Sequence, residues 1–247
     1  MSEFTPIEWA LAALAAVGMG LSKAGLPGIS LLHVLIMAKI LPAKESTGVV
    51  LPLLIFADLF AVGLYRKHAR WKDVLAPLGP AVVGIAVGAW LMPRIPDRSF
   101  GPVIGWIVLV LCALQYARKR FPDRFEQIPH SRAFAWAIGI TSGVATMLAN
   151  AAGPVMALYL LARGLPRWAF VGTAALFFFI VNLIKVPFSA SLGLINTPSL
   201  TLNLWLAPAV VLGLFLGRAL LLRLPQKLFE EAVLALCALA ALQMIFG

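Results

Sequence analysis

Charge is what this chain of 247 residues has least of: 12% of its residues are Asp, Glu, Lys or Arg, and only ten are acidic. An ordinary soluble domain carries about 25% charged and about 45–50% apolar residues. Here 62% are hydrophobic, so a water-soluble fold is excluded. Cysteine is nearly absent. Cys112 and Cys237 both lie within apolar runs, where a thiol behaves as a small hydrophobe, and no disulfide framework or redox compartment follows. Three histidines, without metal-ligand spacing to acids, give no metal site, and neither a GxSxG elbow nor a Walker loop is present. We therefore expect no enzyme, no metal and no cofactor. Strands of about ten residues alternating apolar and polar, the mark of a membrane β-barrel, are missing too.

What is present is continuous apolar sequence. A helical crossing takes about 20 residues, which leaves room for roughly eight to ten. The 20 Lys and Arg exceed the acids by ten, an excess that suits cytoplasmic loops and no nucleic-acid partner. The start, MSEFTPIEW, has Glu3 and Glu8 and no base, unlike the basic n-region of a cleaved signal peptide, so the first apolar segment is expected to stay in the mature protein. Conventional spans are read at Gly48 to Tyr65, Val74 to Met92, Phe100 to Ala117, Phe170 to Val186, Leu200 to Leu222 and Leu228 to Phe246. Ile7 to Leu41 and Ala133 to Ala162 are too long for one span and too short for two with a turn. Each is interrupted by Gly and Pro, at Ser22 to Gly28 and at Ala149 to Pro154, residues that oppose continuous helix.

The interrupted segments open two similar halves. Leu41-Pro42 matches Leu165-Pro166, Gly48 matches Gly172 and Asp58 falls on Asn182, while further on Gly84-xxx-Gly88 falls on Gly213-xxx-Gly217. Bases mark the loop with Arg66, Lys67, Arg70 and Lys72 and the linker with Arg118, Lys119, Arg120, Arg124 and Arg132 as cytoplasmic. Arg163 and Arg167 suggest the same side before the span Phe170 to Val186, and Ser189 to Thr201, which has no charge, reads as outside. The halves then run in opposite directions and both termini lie outside the cytoplasm. The expected fold is an all-α polytopic membrane protein with two inverted repeats, each a broken-helix hairpin plus three transmembrane helices. Its parts are an N-terminal repeat (1–117), a cytoplasmic linker (118–132) and a C-terminal repeat (133–247). A single tilted, kinked helix in place of each hairpin would give eight spans and parallel halves.

A helix broken inside hydrocarbon exposes peptide groups that only protein or a wet cavity can satisfy. The breaks thus point to a lined cavity, in which Pro27 and Pro154 start second half-helices whose free N–H groups near Gly28 and Gly153 favour anions. Two such ends meeting at the midplane is a recurrent transporter arrangement; close helix packing is the structural alternative. The expected substrate-binding set is Ser22, Lys23, Gly25, Pro27, Gly28, Asn150, Gly153 and Pro154. Lys23 supplies the charge, unless it snorkels, and Ser22 and Asn150 supply neutral hydrogen bonds. Asp58, near the middle of its span, needs a partner, water or a proton, and is the candidate for coupling to a proton or cation or for pairing with Lys23. Asn182 is its counterpart in the other half, and Lys185, one helical step on, either faces the same cavity or snorkels. His33, with no acid nearby, reads as a hydrogen-bonded structural histidine.

The segment GLSKAGLPG (Gly20 to Gly28), followed by Leu41-Pro42, Gly48, Leu51-Pro52-Leu53-Leu54, Asp58, Tyr65-Arg66 and Trp71, resembles the N-terminal half of the sulfite exporter TauE/SafE family. The glycine-rich stretch is reduced here to AGLPG, and its second copy to NAAGP. The resemblance implies transport of small sulfur-containing or carboxylated organic anions, such as sulfite or sulfonates, across an inner membrane. The expected function is a secondary transporter working by alternating access, its partners a small anion, a coupling proton or cation, and lipid. A membrane scaffold or assembly factor and a passive anion channel are the alternatives.

Overall fold

The computed structural model describes residues 4–24, 29–121, 131–220 and 226–246. Their secondary structure is helical throughout, with no strand among the described residues. Among the described residues ten α-helices follow in order: α1 (Pro6–Lys23), α2 (Ser30–Ile40), α3 (Ala43–Tyr65), α4 (Trp71–Leu91), α5 (Asp97–Arg120), α6 (Arg132–Ala149), α7 (Gly153–Ala162), α8 (Arg167–Ser191), α9 (Thr197–Leu220) and α10 (Gln226–Phe246). Among the described residues six stretches are long and apolar enough to cross a membrane: Ala43–His68, Trp71–Arg94, Asp97–Arg120, Arg132–Ala149, Trp168–Ser191 and Thr197–Gly217. The chain is a multi-pass membrane protein.

Local chemistry places the helix starts. Thr5 and Glu8 form a capping box on α1, the Thr5 amide donating to the Glu8 carboxylate at 2.8 Å and the Glu8 amide to the Thr5 hydroxyl at 3.3 Å. Ser131 caps α6 by accepting from the Phe134 amide at 3.0 Å. Pro42 and Pro166 occupy the same position before α3 and α8, so the two Leu-Pro pairs matched in sequence have one structural job.

Both interrupted segments fold back on themselves. A Cβ placed on Gly18, in the last third of α1, would lie 3.8 Å from the His33 Cβ in α2, which a continuous rod could not bring together. In the second, Phe134 at the start of α6 lies with its ring 6.1 Å from that of Tyr159 in α7. The return of α7 ends where Arg163 meets the buried Asp73 at the head of α4, Nε to Oδ1, at 2.6 Å.

Glycine notches join the helices across the two halves. On α6 a Cβ at Gly139 or Gly143 would strike the backbone of α4 at Pro77 or Ala81, and on α4 one at Gly84 would strike Ile140. On α9 a Cβ at Gly213 would strike the Val17 carbonyl of α1, and on α1 one at Gly20 would strike Val210. Small residues let membrane helices approach in this way. Thus α4 packs on α6, and α1 on α9; α5 pairs with α10 and α3 with α8. A further correspondence involves Gly48 and Gly172. Gly48, early in α3, abuts Leu194 just past the end of α8, and Gly172, early in α8, abuts Tyr65 to Ala69 just past the end of α3. The pair α3 and α8 is therefore antiparallel.

Candidate functional site

The site begins where α1 stops. Lys23 is the last residue of α1 and extends its ammonium to Asp58 of α3, Nζ to Oδ1, at 2.6 Å. The same ammonium lies 4.8 Å from the centre of the Phe178 ring, so an aromatic face shares its charge. The other carboxylate oxygen accepts from Asn182 Nδ2 of α8 at 2.8 Å. Asp58 is fully buried; a carboxylate survives there because two helices from different halves each bring it a donor. With its amide nitrogen turned to Asp58, Asn182 is left with Oδ1 buried and without a hydrogen bond among the described residues.

The second break is held by a different cation. Asn150 ends α6 in the left-handed conformation, φ 51° and ψ 28°, one that a short polar side chain tolerates better than most. Its Nδ2 donates to the Thr47 carbonyl of α3 at 2.9 Å, and its Oδ1 accepts from Lys185 Nζ. Lys185 also donates to the Thr146 carbonyl at 2.7 Å and to the Thr146 hydroxyl at 3.2 Å. Three acceptors match the three N–H bonds of an ammonium, and the last turn of α6 is the negative end of its dipole. Three residues past Asn150, α7 starts with Gly153-Pro154 in its first turn. A Cβ on Gly153 would come within 2.9 Å of the Ser30 hydroxyl, so the start of α7 and the start of α2 meet face to face.

Between the breaks lies a cavity of about 360 Å³. Its inner end is lined by Ser22, Lys23, Ser30, His33, Asn150 and Asn182, with Thr146 and Gly153 beside them. Tyr65, Arg118 and Trp168 line it at the other end, near the basic loops, and the rings of Tyr65 and Trp168 stack there with centroids 6.0 Å apart. His33 departs from its expected role. It is buried, lines the cavity, and neither ring nitrogen has a hydrogen-bond partner among the described residues. Buried polar atoms are nearly always satisfied, and an imidazole left bare beside an ammonium is available to a ligand.

A sequence model of the sulfite exporter TauE/SafE family matches residues 10–244, nearly the whole chain. The chain belongs to the TauE/SafE family. No curated protein matches it at a significant level. Membership in a family of membrane anion exporters accounts for a polar, cationic cavity at the centre of an otherwise apolar TauE/SafE fold.

Of the residues selected from sequence, Ser22, Lys23, Asn150, Gly153 and Asn182 line the cavity. Pro154 sits behind them in the first turn of α7, and Asp58 lies under Lys23. Gly25, Pro27 and Gly28 fall outside the described residues. Two of these residues make contacts that the sequence did not foretell. Lys185 is 1% exposed and donates to Thr146 and Asn150, both of which line the cavity. The Asn150 amide, while lining the cavity, is also engaged by Thr47 and Lys185 and so braces the break. Sequence reasoning missed Ser30 and Thr146, which lie within a turn or two of the breaks, a proximity that is itself a usable signal.

Proposed function

We propose that this chain is a secondary transporter that exports a small organic or sulfur-containing anion such as sulfite or a sulfonate, by alternating access, with Asp58 linking transport to a proton or cation. The observation that carries this reading is the Lys23–Asp58 contact at the inner end of the cavity. An arriving anion competes with Asp58 for the ammonium. When Lys23 turns to the substrate, Asp58 keeps only Asn182 and binds a proton or cation in its place, because an unpaired buried carboxylate is costly. Ser30, His33 and the first amides of α7 supply donors for the anion's oxygens.

The domains are read as repeats 1–117 and 133–247 joined by the cytoplasmic linker 118–132, most of which lies outside the described residues. The antiparallel pairing of α3 with α8, and the reciprocal glycine contacts at Gly48 and Gly172, support an inverted relation between the repeats. Since the cavity reaches Arg118, Tyr65 and Trp168 at the basic loops, the positive-inside rule makes this the inward-facing state, with both termini outside an inner membrane. Arg118 at the mouth raises the local concentration of anions.

Flux in proteoliposomes tests the proposal. A gradient of sulfite or a sulfonate should drive saturable uptake that accelerates with counter-substrate on the far side. Linear, non-exchanging conductance would favour a passive channel, and no anion flux would remove the transport reading.

A further inference from the structure

Each break in the chain is held by one lysine, and only one of the two has a counter-ion. Lys23, at the end of α1, is paired with Asp58. Lys185 of α8, at the end of α6, meets three neutral oxygens instead: the carbonyl and the hydroxyl of Thr146 and Oδ1 of Asn150. It is fully buried and makes no ion pair among the described residues, and Asp58 is already engaged by Lys23 and Asn182. Two ammonium groups therefore stand against one carboxylate. Bracing a break takes donors but no charge, and a buried cation without an acid is costly in a membrane.

The Thr146 hydroxyl shows how that charge reaches the cavity. Ser46, Thr47, Ser191 and Thr201 turn their hydroxyls back to donate to a carbonyl three or four residues earlier, at 2.7 to 3.0 Å, the usual habit of such residues in helices. Thr146 does not. Its oxygen accepts from Lys185 Nζ at 3.2 Å, and its own proton has no acceptor among the described residues. A hydroxyl has one proton to give. With a lysine N–H on its oxygen, that proton turns away from the ammonium and is polarised by it. Thr146 lines the cavity, so the acceptor it lacks is one that the cavity can supply.

We propose that Thr146 donates its hydroxyl proton to the bound anion and that Lys185 is the positioning residue that turns and polarises this hydroxyl, the anion being the counter-ion that Lys185 lacks. This rests on the reading of the cavity as the anion site and adds to it a second cation, which acts through a neutral intermediary. Lys23 and Thr146 then draw on the anion from the two breaks, one in each half of the chain.

Calorimetry on the purified full chain with sulfite and with methanesulfonate tests this. Thr146→Val removes the hydroxyl and should lower affinity for both anions about tenfold, whereas Thr146→Ser, which keeps it, should stay within about twofold. Lys185→Met should weaken binding by about tenfold or more, because the freed hydroxyl then turns back to the Ser142 carbonyl. Adding Thr146→Val to Lys185→Met should therefore cost nothing further, a non-additivity that a merely structural lysine would not produce. Should Lys185→Met fail to fold, Lys185→Gln, which keeps donors without the charge, takes its place in the cycle. Affinity unchanged by Thr146→Val in the otherwise unaltered chain would overturn this inference and leave anion transport standing. A tenfold loss on Thr146→Val that recurs in the Lys185 variant would overturn the positioning role. Binding of neither anion by the unaltered chain would overturn both this inference and the transport reading.

Discussion

Lys23 and Asp58 meet at 2.6 Å although they lie on different helices, α1 and α3, and the carboxylate is fully buried while the lysine side chain keeps a thin exposed margin. The pair is therefore unequal. Asp58 cannot move to water, whereas Lys23 stands at a helix end and faces the cavity. Replacing Lys23 by Ala should abolish anion-dependent flux and, by leaving a buried acid unpaired, cost about 3–5 kcal/mol of stability. The double variant Lys23→Met with Asp58→Asn should regain most of that stability without regaining flux. Thermal unfolding and proteoliposome uptake, measured on the same preparations, separate the two effects; unchanged uptake by Lys23→Ala would reject the role given to it.

Asp58→Asn keeps the shape and the contact with Asn182 but removes the titrating group. The expected outcome is a flux profile that no longer depends on pH, checked by uptake at a series of pH values on each side of the vesicle. A profile identical to that of the unaltered protein would exclude proton coupling at this residue.

How much of this was legible beforehand depends on what each residue does. The breaks at Lys23 and Asn150 were visible because Gly and Pro interrupt apolar runs, and Asp58 because a lone acid in hydrocarbon demands an explanation. The repeat offset made Asn182 the counterpart of Asp58, but the hydrogen bond between them is seen only in the fold. The role of Lys185 was not visible: its acceptors are a carbonyl and a hydroxyl of Thr146 and the side-chain oxygen of Asn150, all in another segment, and no pattern in a single helix announces a carbonyl that a distant chain segment will present. His33 escaped for the opposite reason, since a missing partner leaves no mark in sequence.

His33 offers a test in which stability and binding move apart. Its ring nitrogens have no partner among the described residues, so His33→Phe removes no hydrogen bond between described residues and should leave the unfolding temperature within a few degrees. Anion affinity, read by calorimetry, should fall about tenfold, the worth of one hydrogen bond to a charged group. A large loss of stability with affinity unchanged would return the residue to a structural role.

Asn150 should behave in reverse. Asn150→Ala removes two hydrogen bonds, leaves Lys185 short of an acceptor and places a Cβ-bearing residue without a polar side chain at φ 51°. A loss of about 2–4 kcal/mol is expected. Asn150→Gly should recover the backbone part, about 1 kcal/mol, and no more, as seen by denaturation in mild detergent.

The glycines divide cleanly by what surrounds them. Gly143→Ala and Gly213→Ala each drive a methyl into a carbonyl of the facing helix, Ala81 and Val17 respectively, and each should cost about 3 kcal/mol, the upper end for overpacking. Gly63→Ala, with nothing within 4 Å, should be neutral or stabilising by up to about 1 kcal/mol. Unfolding of the three variants in parallel checks the contrast.

Because α1, α3, α4 and α5 each find their main neighbour among α9, α8, α6 and α10, neither stretch of the chain is a self-sufficient unit. A polypeptide ending near Arg120 would enter the bilayer with its notched faces bare to lipid and would be prey for membrane proteases. Made together with the piece beginning near Arg132, it should be rescued, so the gene tolerates being cut in two but not being cut in half.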